Sequence, residues 1–434
     1  ANGIHVYFTD RPFSTPLHVW AMYERNAAGL LNFTASHNPA SYGGVEYFDG
    51  RTVSLAHGAV ADAIMQGIGS IQTVNMLESV EHPSIISIEA PIAAYAEYLR
   101  NAGIDFDTIR KADLSIFYDA LTGVEAIVEE LFGYLGISAE FITYPSTKRF
   151  KNYDTSERNL KTLSSQVKLH NADIGLASDF DGDRAGLVLN VGKYLSPNRF
   201  YSLLLYASLL ELSRKSGFDP SEYVILRSNV STPWVDMIAR YFGIPNENII
   251  ETRTGGKFIN EEIARQHTRG KKVLLAFEGS GGAVLSGTLP YKDGIPVNFK
   301  LLEIAAKIKL GVLPGKDLRG LYARMRKQIG TVYSGEREIP FTRADSAQRA
   351  VPDFESLEEI FRMIPVFLQR TPGYSARHYW PVTPVIANGL IRFVFNGHSV
   401  VAIRKSGTES LIRVYTHALR AIDQKAIEHW AVNR

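Results

Sequence analysis

The chain has 434 residues, 45% of them hydrophobic and 21% charged, with a formal net charge of +2 and no cysteine. That length predicts two to four domains of ordinary globular composition. The near-neutral balance argues against a general nucleic-acid surface, and the missing cysteines exclude disulfides, thiolate catalysis and thiolate-bound metal centres. No apolar run is long enough to span a bilayer, so a cytoplasmic protein with no membrane contact is the expectation.

Residues 3–8 read as a strand, so the chain starts almost inside an element. A first domain lacking its N-terminal part is expected, with sheet edges and apolar surface uncovered. The apolar run 29–33 leads into Thr34, Ala35, Ser36, His37, Asn38 and Pro39, a strand end opening into a tight turn. From 114 the pattern is β-α-β. Strand 114–118 is followed by Val124, Ile127, Val128, Leu131, Phe132 and Leu135 at helical spacing, Gly136 as the stop, and strand 140–144. Residues 145–166 are polar and read as an exposed excursion. Strands 174–177 and 185–191 flank an acidic loop. Ser196 and Pro197 predict the cap and first turn of a helix running to 215. A second β-α-β unit comprises strand 223–226, helix 233–242 and strand 248–251, and strand 272–277 and helix 298–310 follow. The polar segment 334–355 reads as a linker. Asn388 with Gly389, and Asn396 with Gly397, separate alternating apolar runs. They predict an antiparallel meander of strands 390–395, 400–404 and 411–416, with helices 354–368 and beyond 421 on one face.

Five loops carry candidate chemistry. Ser36 beside His37 offers a hydroxyl and a proton acceptor, though a turn serine with no role has the same signature. Asp179, Asp181 and Asp183 fall within five residues. Two carboxylates ~4 Å apart repel by roughly 4 kcal/mol at an effective dielectric of 20. Three held together need raised pKa values or a hard cation such as Mg²⁺, and a solvated acidic turn is the other reading. An EF-hand is excluded, because Gly182 stands fourth rather than sixth and Asn190 occupies the place of the bidentate glutamate. Glu278 and Ser280 on a glycine-bearing loop suit vicinal sugar hydroxyls, and Lys257 closes a second glycine turn. Arg404, Ser406, Gly407 and Thr408 lie between two meander strands, with Arg413 nearby. A guanidinium, hydroxyls and backbone N–H groups suit a phosphate, and an ordinary hairpin loop remains the alternative.

In their order, TASHNP at 34–39, DFDGDR at 179–184, TRTGGK at 252–257, EGSGG at 278–282, and RKSGTE with LIRVY at 404–415 resemble the α-D-phosphohexomutase superfamily over nearly the whole chain. The resemblance implies an α/β fold of three related domains with mixed sheets, plus a C-terminal α+β domain with helices on an antiparallel sheet, around a central cleft. The expected boundaries are 1–84 for a phosphoserine domain, 85–194 for a metal-binding domain, 195–340 for a sugar-recognition domain and 341–434 for a phosphate-binding domain.

It also implies roles. Ser36 is carried as a phosphoserine and, with Asp179, Asp181 and Asp183, holds one Mg²⁺ per chain. His37 and Lys257 are candidates for proton transfer, and Arg184 for the phosphoryl group in flight. Glu278 and Ser280 read the sugar; Arg404, Ser406, Gly407, Thr408 and Arg413 hold the unreacting phosphate. The reaction interconverts hexose 1-phosphate and hexose 6-phosphate of glucose or mannose, with glucose 1,6-bisphosphate as intermediate and activator, in a monomer or homodimer. A phosphoglucosamine mutase and a non-catalytic sugar-phosphate binder are the rivals. Departures from the family pattern are Glu46 where a lysine is usual, Gly282 where a histidine often closes the sugar loop, Lys405 and Ser410 for small residues or proline, and the absence of the family's N-terminal glycine–arginine segment.

Overall fold

The computed structural model describes residues 3–39, 41–73, 82–340, 385–387, 390–395, 399–405 and 411–419. It divides into two compact units, 1–229 with 242–323, and 230–241 with 324–434.

The first unit holds four sheets. Val6–Thr9 pairs in parallel with Ile85–Ile88, and Gly29–Thr34, Gly44–Asp49 and Ser54–Leu55 form an antiparallel sheet. A sheet of two strands cannot cover itself, and apolar side chains of this region stand in solvent: Phe8, Phe33 and Met65 are 66%, 77% and 68% exposed.

The next sheet orders its strands Lys193–Leu195, Ala185–Leu189, Ile174–Ser178, Ile116–Asp119 and Glu140–Phe141. Its central hairpin, Ile174–Ser178 against Ala185–Leu189, is buried along its whole length, as uninterrupted Ile, Leu, Val and Ala demand. The helix Glu125–Leu135 ends on Gly136 in a left-handed conformation, φ 64°, as expected.

Residues 145–149 are exposed as read, but the rest of 145–166 is not an excursion. The helix Lys161–Leu169 begins there, and Leu160, Leu163 and Val167 join the core beneath this sheet. Three apolar residues at helical spacing among lysines and serines suffice to bury one stripe.

The fourth sheet runs Ile249–Thr252, Tyr223–Ser228, Lys272–Phe277 and Ala283–Leu285, the first three parallel and the last antiparallel. Its parallel strands deliver the loops after Thr252 and Phe277 to the same edge, where ligands of open α/β sheets bind. The helix Pro197–Leu212 starts on Ser196 and Pro197 as read, and the helix Gly294–Lys309 starts earlier than read, capped by Asp293.

The second unit contains an antiparallel sheet ordered Tyr333–Pro340, Leu411–Ala418, Ser399–Lys405, Leu390–Phe395 and Val385–Ala387. The meander is as expected. The segment read as a linker instead starts with a strand, Tyr333–Pro340, paired along its full length with Leu411–Ala418. It carries Glu336, Arg337 and Glu338 in succession and ends on Pro340, and charges with a proline suit an edge strand. Within this unit His417 bridges Ser334 Oγ at 2.9 Å and the Val230 carbonyl at 3.0 Å. The helices expected at 354–368 and beyond 421 lie outside the described residues.

Candidate active site

The acidic loop closes the buried hairpin. Asp179, Asp181 and Asp183 are 0%, 6% and 2% exposed, and one ligand oxygen from each lies within 4.8 Å of the others. Gly182 takes φ 77°, which turns the chain so that its N–H donates to the Asp179 carbonyl at 3.1 Å.

Asp179 Oδ2, Asp181 Oδ1 and Asp183 Oδ1 are buried with no hydrogen-bond partner. Three orphaned carboxylate oxygens in one place are costly without a cation, and hard oxygen donors in this number suit Mg²⁺ with positions to spare. Burial, with Asp183 and then Asp181 beside it, drives the Asp179 carboxyl well up; burial and Asp183 push Asp181 up to about 7. Burial would raise Asp183 too, but the Lys292 ammonium and the Arg184 guanidinium outweigh it and hold that carboxyl down.

Two cations answer the three carboxylates. Arg184 Nε lies 3.4 Å from Asp179 Oδ2 and 3.7 Å from Asp183 Oδ1. Its Nη2 donates to His37 Nδ1 at 2.8 Å, and Ser36 Oγ stands 3.2 Å from the same nitrogen. With Nδ1 facing a guanidinium, the ring proton belongs on Nε2. Burial, reinforced by Arg184, pushes His37 down to about 3, so the imidazole is neutral.

Ser36 sits in the expected turn at φ 50°, its N–H donating to Thr34 Oγ1 at 2.8 Å. A serine held left-handed stores on the order of 1–2 kcal/mol and presents its hydroxyl at the tip. The turn is pinned by Tyr153, whose N–H donates to the His37 carbonyl at 2.7 Å.

The second cation, Lys292, escaped the sequence reading. Its Nζ bonds Asp183 Oδ2 at 2.7 Å, and Oδ1 accepts no hydrogen bond. Its stem fills the space beside Gly282: a Cβ there would stand 2.9 Å from Lys292 Cδ, and one on Gly256 would stand 3.9 Å away. The departure at Gly282 therefore has a physical reason, since a larger side chain would displace the lysine. The only local signal was Asp293 beside it, a helix cap.

Thr15 and Asn32 were missed as well. Thr15 Oγ1 donates to Asp181 Oδ2 at 3.1 Å, and Asn32 Nδ2 donates to Thr15 Oγ1 at 3.0 Å and to Glu46 Oε2 at 3.1 Å. Glu46 thus joins the triad through two neutral residues. Burial raises its carboxyl, which limits the charge it places near the site.

Glu278 Oε1 accepts the Gly255 N–H at 2.9 Å, tying the glycine–lysine turn to the expected sugar loop. The Ala185 N–H donates to the Gly281 carbonyl at 3.1 Å, tying that loop to the metal loop. Ser280 is exposed, and Lys257 Nζ sits 5.0 Å over the Phe258 ring. Ser406, Gly407 and Thr408 lie outside the described residues. Arg404 and Arg413 are direct register partners on adjacent strands, and Arg413 Nη1 is 3.9 Å from Glu336.

Asp293 deserves separate treatment because burial pushes its carboxyl up to about 7 from 3.8. The raised folded-state value means that the stabilising contribution is complete below about pH 4 and is lost as pH rises to about 7. An asparagine keeps the cap to the Ile295 N–H, 2.9 Å from Oδ1. Metal-free Asp293→Asn is expected to gain on the parent as pH rises from 4 to 8, by at most on the order of 4 kcal/mol. Parallel thermal-unfolding curves across that range would refute this.

Residues 1–74, 93–192 and 202–327 match alpha/beta/alpha domains I, II and III of phosphoglucomutase/phosphomannomutase. The phosphoglucomutase of Staphylococcus aureus strain MSSA476 is 23% identical over 95% of this chain and 77% of its own length. The open form of Paramecium parafusin, a phosphoglucomutase, superposes with a TM-score of 0.70 at 20% identity, over 96% of this chain and 79% of that one. Aspergillus fumigatus N-acetylphosphoglucosamine mutase, in complex with GlcNAc-6P and magnesium, gives 0.53 at 15% identity over 96% and 93%. The three domain matches together take in more than half of the chain, with three α/β/α domains and a C-terminal antiparallel sheet in the family order. The chain belongs to the phosphoglucomutase/phosphomannomutase family of the α-D-phosphohexomutase superfamily, whose members are phosphotransferase isomerases.

Proposed function

We propose that the protein interconverts hexose 1-phosphate and hexose 6-phosphate, with glucose and mannose as the sugars, through a phosphorylated Ser36. The observation that carries this reading is the buried triad with one unpartnered oxygen on each aspartate, linked through Arg184 and His37 to the Ser36 hydroxyl. Asp179, Asp181 and Asp183 would hold Mg²⁺, which supplies charge neutralisation to a phosphoryl group on Ser36.

Substrate O6 attacks the phosphorus on Ser36. The bond from phosphorus to Oγ breaks, a bond to O6 forms, and the O6 proton passes to a base. The hexose 1,6-bisphosphate then turns over, and Ser36 takes back the phosphoryl group from O1. Arg184 stands beside Ser36 and His37, placed to meet the equatorial oxygens as the group moves. Neutral His37 and Lys257 are the candidates for proton transfer. Lys292, raised in pKa by Asp183 against the effect of burial, stays a cation and serves charge rather than proton transfer. Glu278 and Ser280 would read hydroxyls shared by both orientations of the ring.

Arg404, Ser406, Gly407, Thr408 and Arg413 would seat the unreacting phosphate. The backbone register that sets Arg404 opposite Arg413 on adjacent strands supports that role.

The test is a coupled assay with glucose 1-phosphate, mannose 1-phosphate and glucosamine 6-phosphate, each with Mg²⁺ and a trace of glucose 1,6-bisphosphate. Turnover of the glucose and mannose phosphates is expected. Preference for glucosamine 6-phosphate would move the protein to cell-wall precursor chemistry. No turnover of any, with Ser36 never phosphorylated, would leave a sugar-phosphate binder.

A further inference from the structure

Lys292 owes its position to a different domain match from the one it lies in. The helix Ile92–Asn101 turns two tyrosines, one helical turn apart, onto the segment 287–293. Tyr95, fully buried, donates its hydroxyl to Asp293 Oδ2, and Tyr98 accepts the Leu289 N–H at 2.6 Å. At the end of the same helix the backbone of Ala102 lies so near Gly287 that a Cβ there would stand 2.9 Å from the Ala102 Cα.

The two rings stack on each other at 5.7 Å between centroids, and Trp20 covers them at 5.5 Å and 5.8 Å. The far side of the segment is held by Asp293, whose N–H donates to the Ala283 carbonyl at 2.9 Å. Residues 289–293 are thus gripped at both ends, and Lys292 projects from between the grips to Asp183 Oδ2.

A flexible lysine on a free loop would sample many rotamers, and Asp183 would rotate with it. Here both are locked, and the Asp183 oxygen that accepts no hydrogen bond is Oδ1. Groups behind the ligands of a cation commonly change affinity 10–100-fold when removed. The geometry points to Tyr95 and Tyr98 as positioning residues that set the affinity of the aspartate triad for a divalent cation, acting through Lys292 on Asp183. The inference rests on the metal reading of the triad and goes beyond it in assigning control of that site to two hydroxyls on a distant helix.

Mn²⁺ serves as the probe, titrated calorimetrically into the full chain at pH 8. Tyr95→Phe and Tyr98→Phe each remove one hydroxyl and keep the ring. Each is expected to weaken Mn²⁺ binding by about 10-fold. Trp20→Phe loosens the same aromatic cluster without touching either hydrogen bond and is expected to leave the affinity unchanged while lowering the unfolding temperature. If the parent binds no Mn²⁺ at millimolar concentration, the metal reading itself falls. If the parent binds and folded Tyr95→Phe and Tyr98→Phe bind equally well, the inference alone is overturned. Equal weakening by Trp20→Phe also overturns it, because packing would then carry the effect. Should Tyr95→Phe fail to fold, Tyr98→Phe decides the matter.

Discussion

Ser36→Ala is expected to lower turnover by about 10⁴-fold or more, because in the proposed mechanism it removes the oxygen that carries the phosphoryl group between half-reactions. The fold should survive. The anchors of the turn are backbone groups, the Ser36 N–H to Thr34 Oγ1 and the Tyr153 N–H to the His37 carbonyl, and alanine leaves both intact. Alanine in the left-handed region costs roughly 1 kcal/mol more than a residue that favours it, well within the reserve of a domain. Intact mass gives a second, independent readout. The parent incubated with glucose 1,6-bisphosphate should gain one phosphate that phosphatase removes, and Ser36→Ala should gain none. A variant that keeps measurable mutase activity, or a phosphate that persists on it, would place the carrier elsewhere.

Asp181→Asn produces two effects of opposite sign. Turnover should fall by roughly 10³-fold, since the change removes one of three charged oxygens from a cation site and leaves an amide nitrogen facing two carboxylates. The metal-free protein should nevertheless become more stable at pH 8. Asp181 is buried, its carboxyl is pushed up to about 7 by burial and by Asp183, and ionising it in the fold costs free energy. The sign follows from the direction of the shift. A raised folded-state value means that the favourable contribution is complete below about pH 4 and is lost as pH rises through about 7.

The gain at pH 8 should therefore be on the order of 1–4 kcal/mol and should vanish near pH 4. Mg²⁺ separates the two proteins further. It should raise the unfolding temperature of the parent at pH 8, because binding to the folded state alone stabilises by mass action, and should move Asp181→Asn far less. Thermal unfolding at pH 4 and 8, with and without excess Mg²⁺, measures all of it. A variant less stable than the parent at pH 8 without metal would contradict the repulsion inferred from the three orphaned oxygens.

Glu46 and Gly282 illustrate how two departures from the family pattern acquire meaning only in space. Glu46 is tied to Asn32, and Asn32 to Thr15, so its carboxylate is held inside a hydrogen-bonded chain that ends on Asp181. Gly282 makes room for the stem of Lys292. Neither relation has a sequence signature, because the partners are separated by 10 to 166 positions along the chain and by different secondary elements.

Ser36, the aspartates and Glu278 were legible because their chemistry is local. Three carboxylates in five residues, a serine at a strand end and glycines at loop bends are consequences of neighbouring residues, whatever surrounds them. The central hairpin, the Gly136 helix stop and the C-terminal meander were legible for the same reason: period, cap and turn residue act over a few positions. The helix Lys161–Leu169 and the strand Tyr333–Pro340 were not, since polar sequence of mixed charge becomes helix or edge strand only when a neighbouring sheet supplies a surface or a partner. Lys292, Thr15, Asn32 and the two tyrosines behind them belong to the same class. Each is an ordinary residue drawn to its place by a buried charge or hydrogen bond across domains, and Coulomb and hydrogen-bond energies depend on distance in space, which the order of residues does not encode.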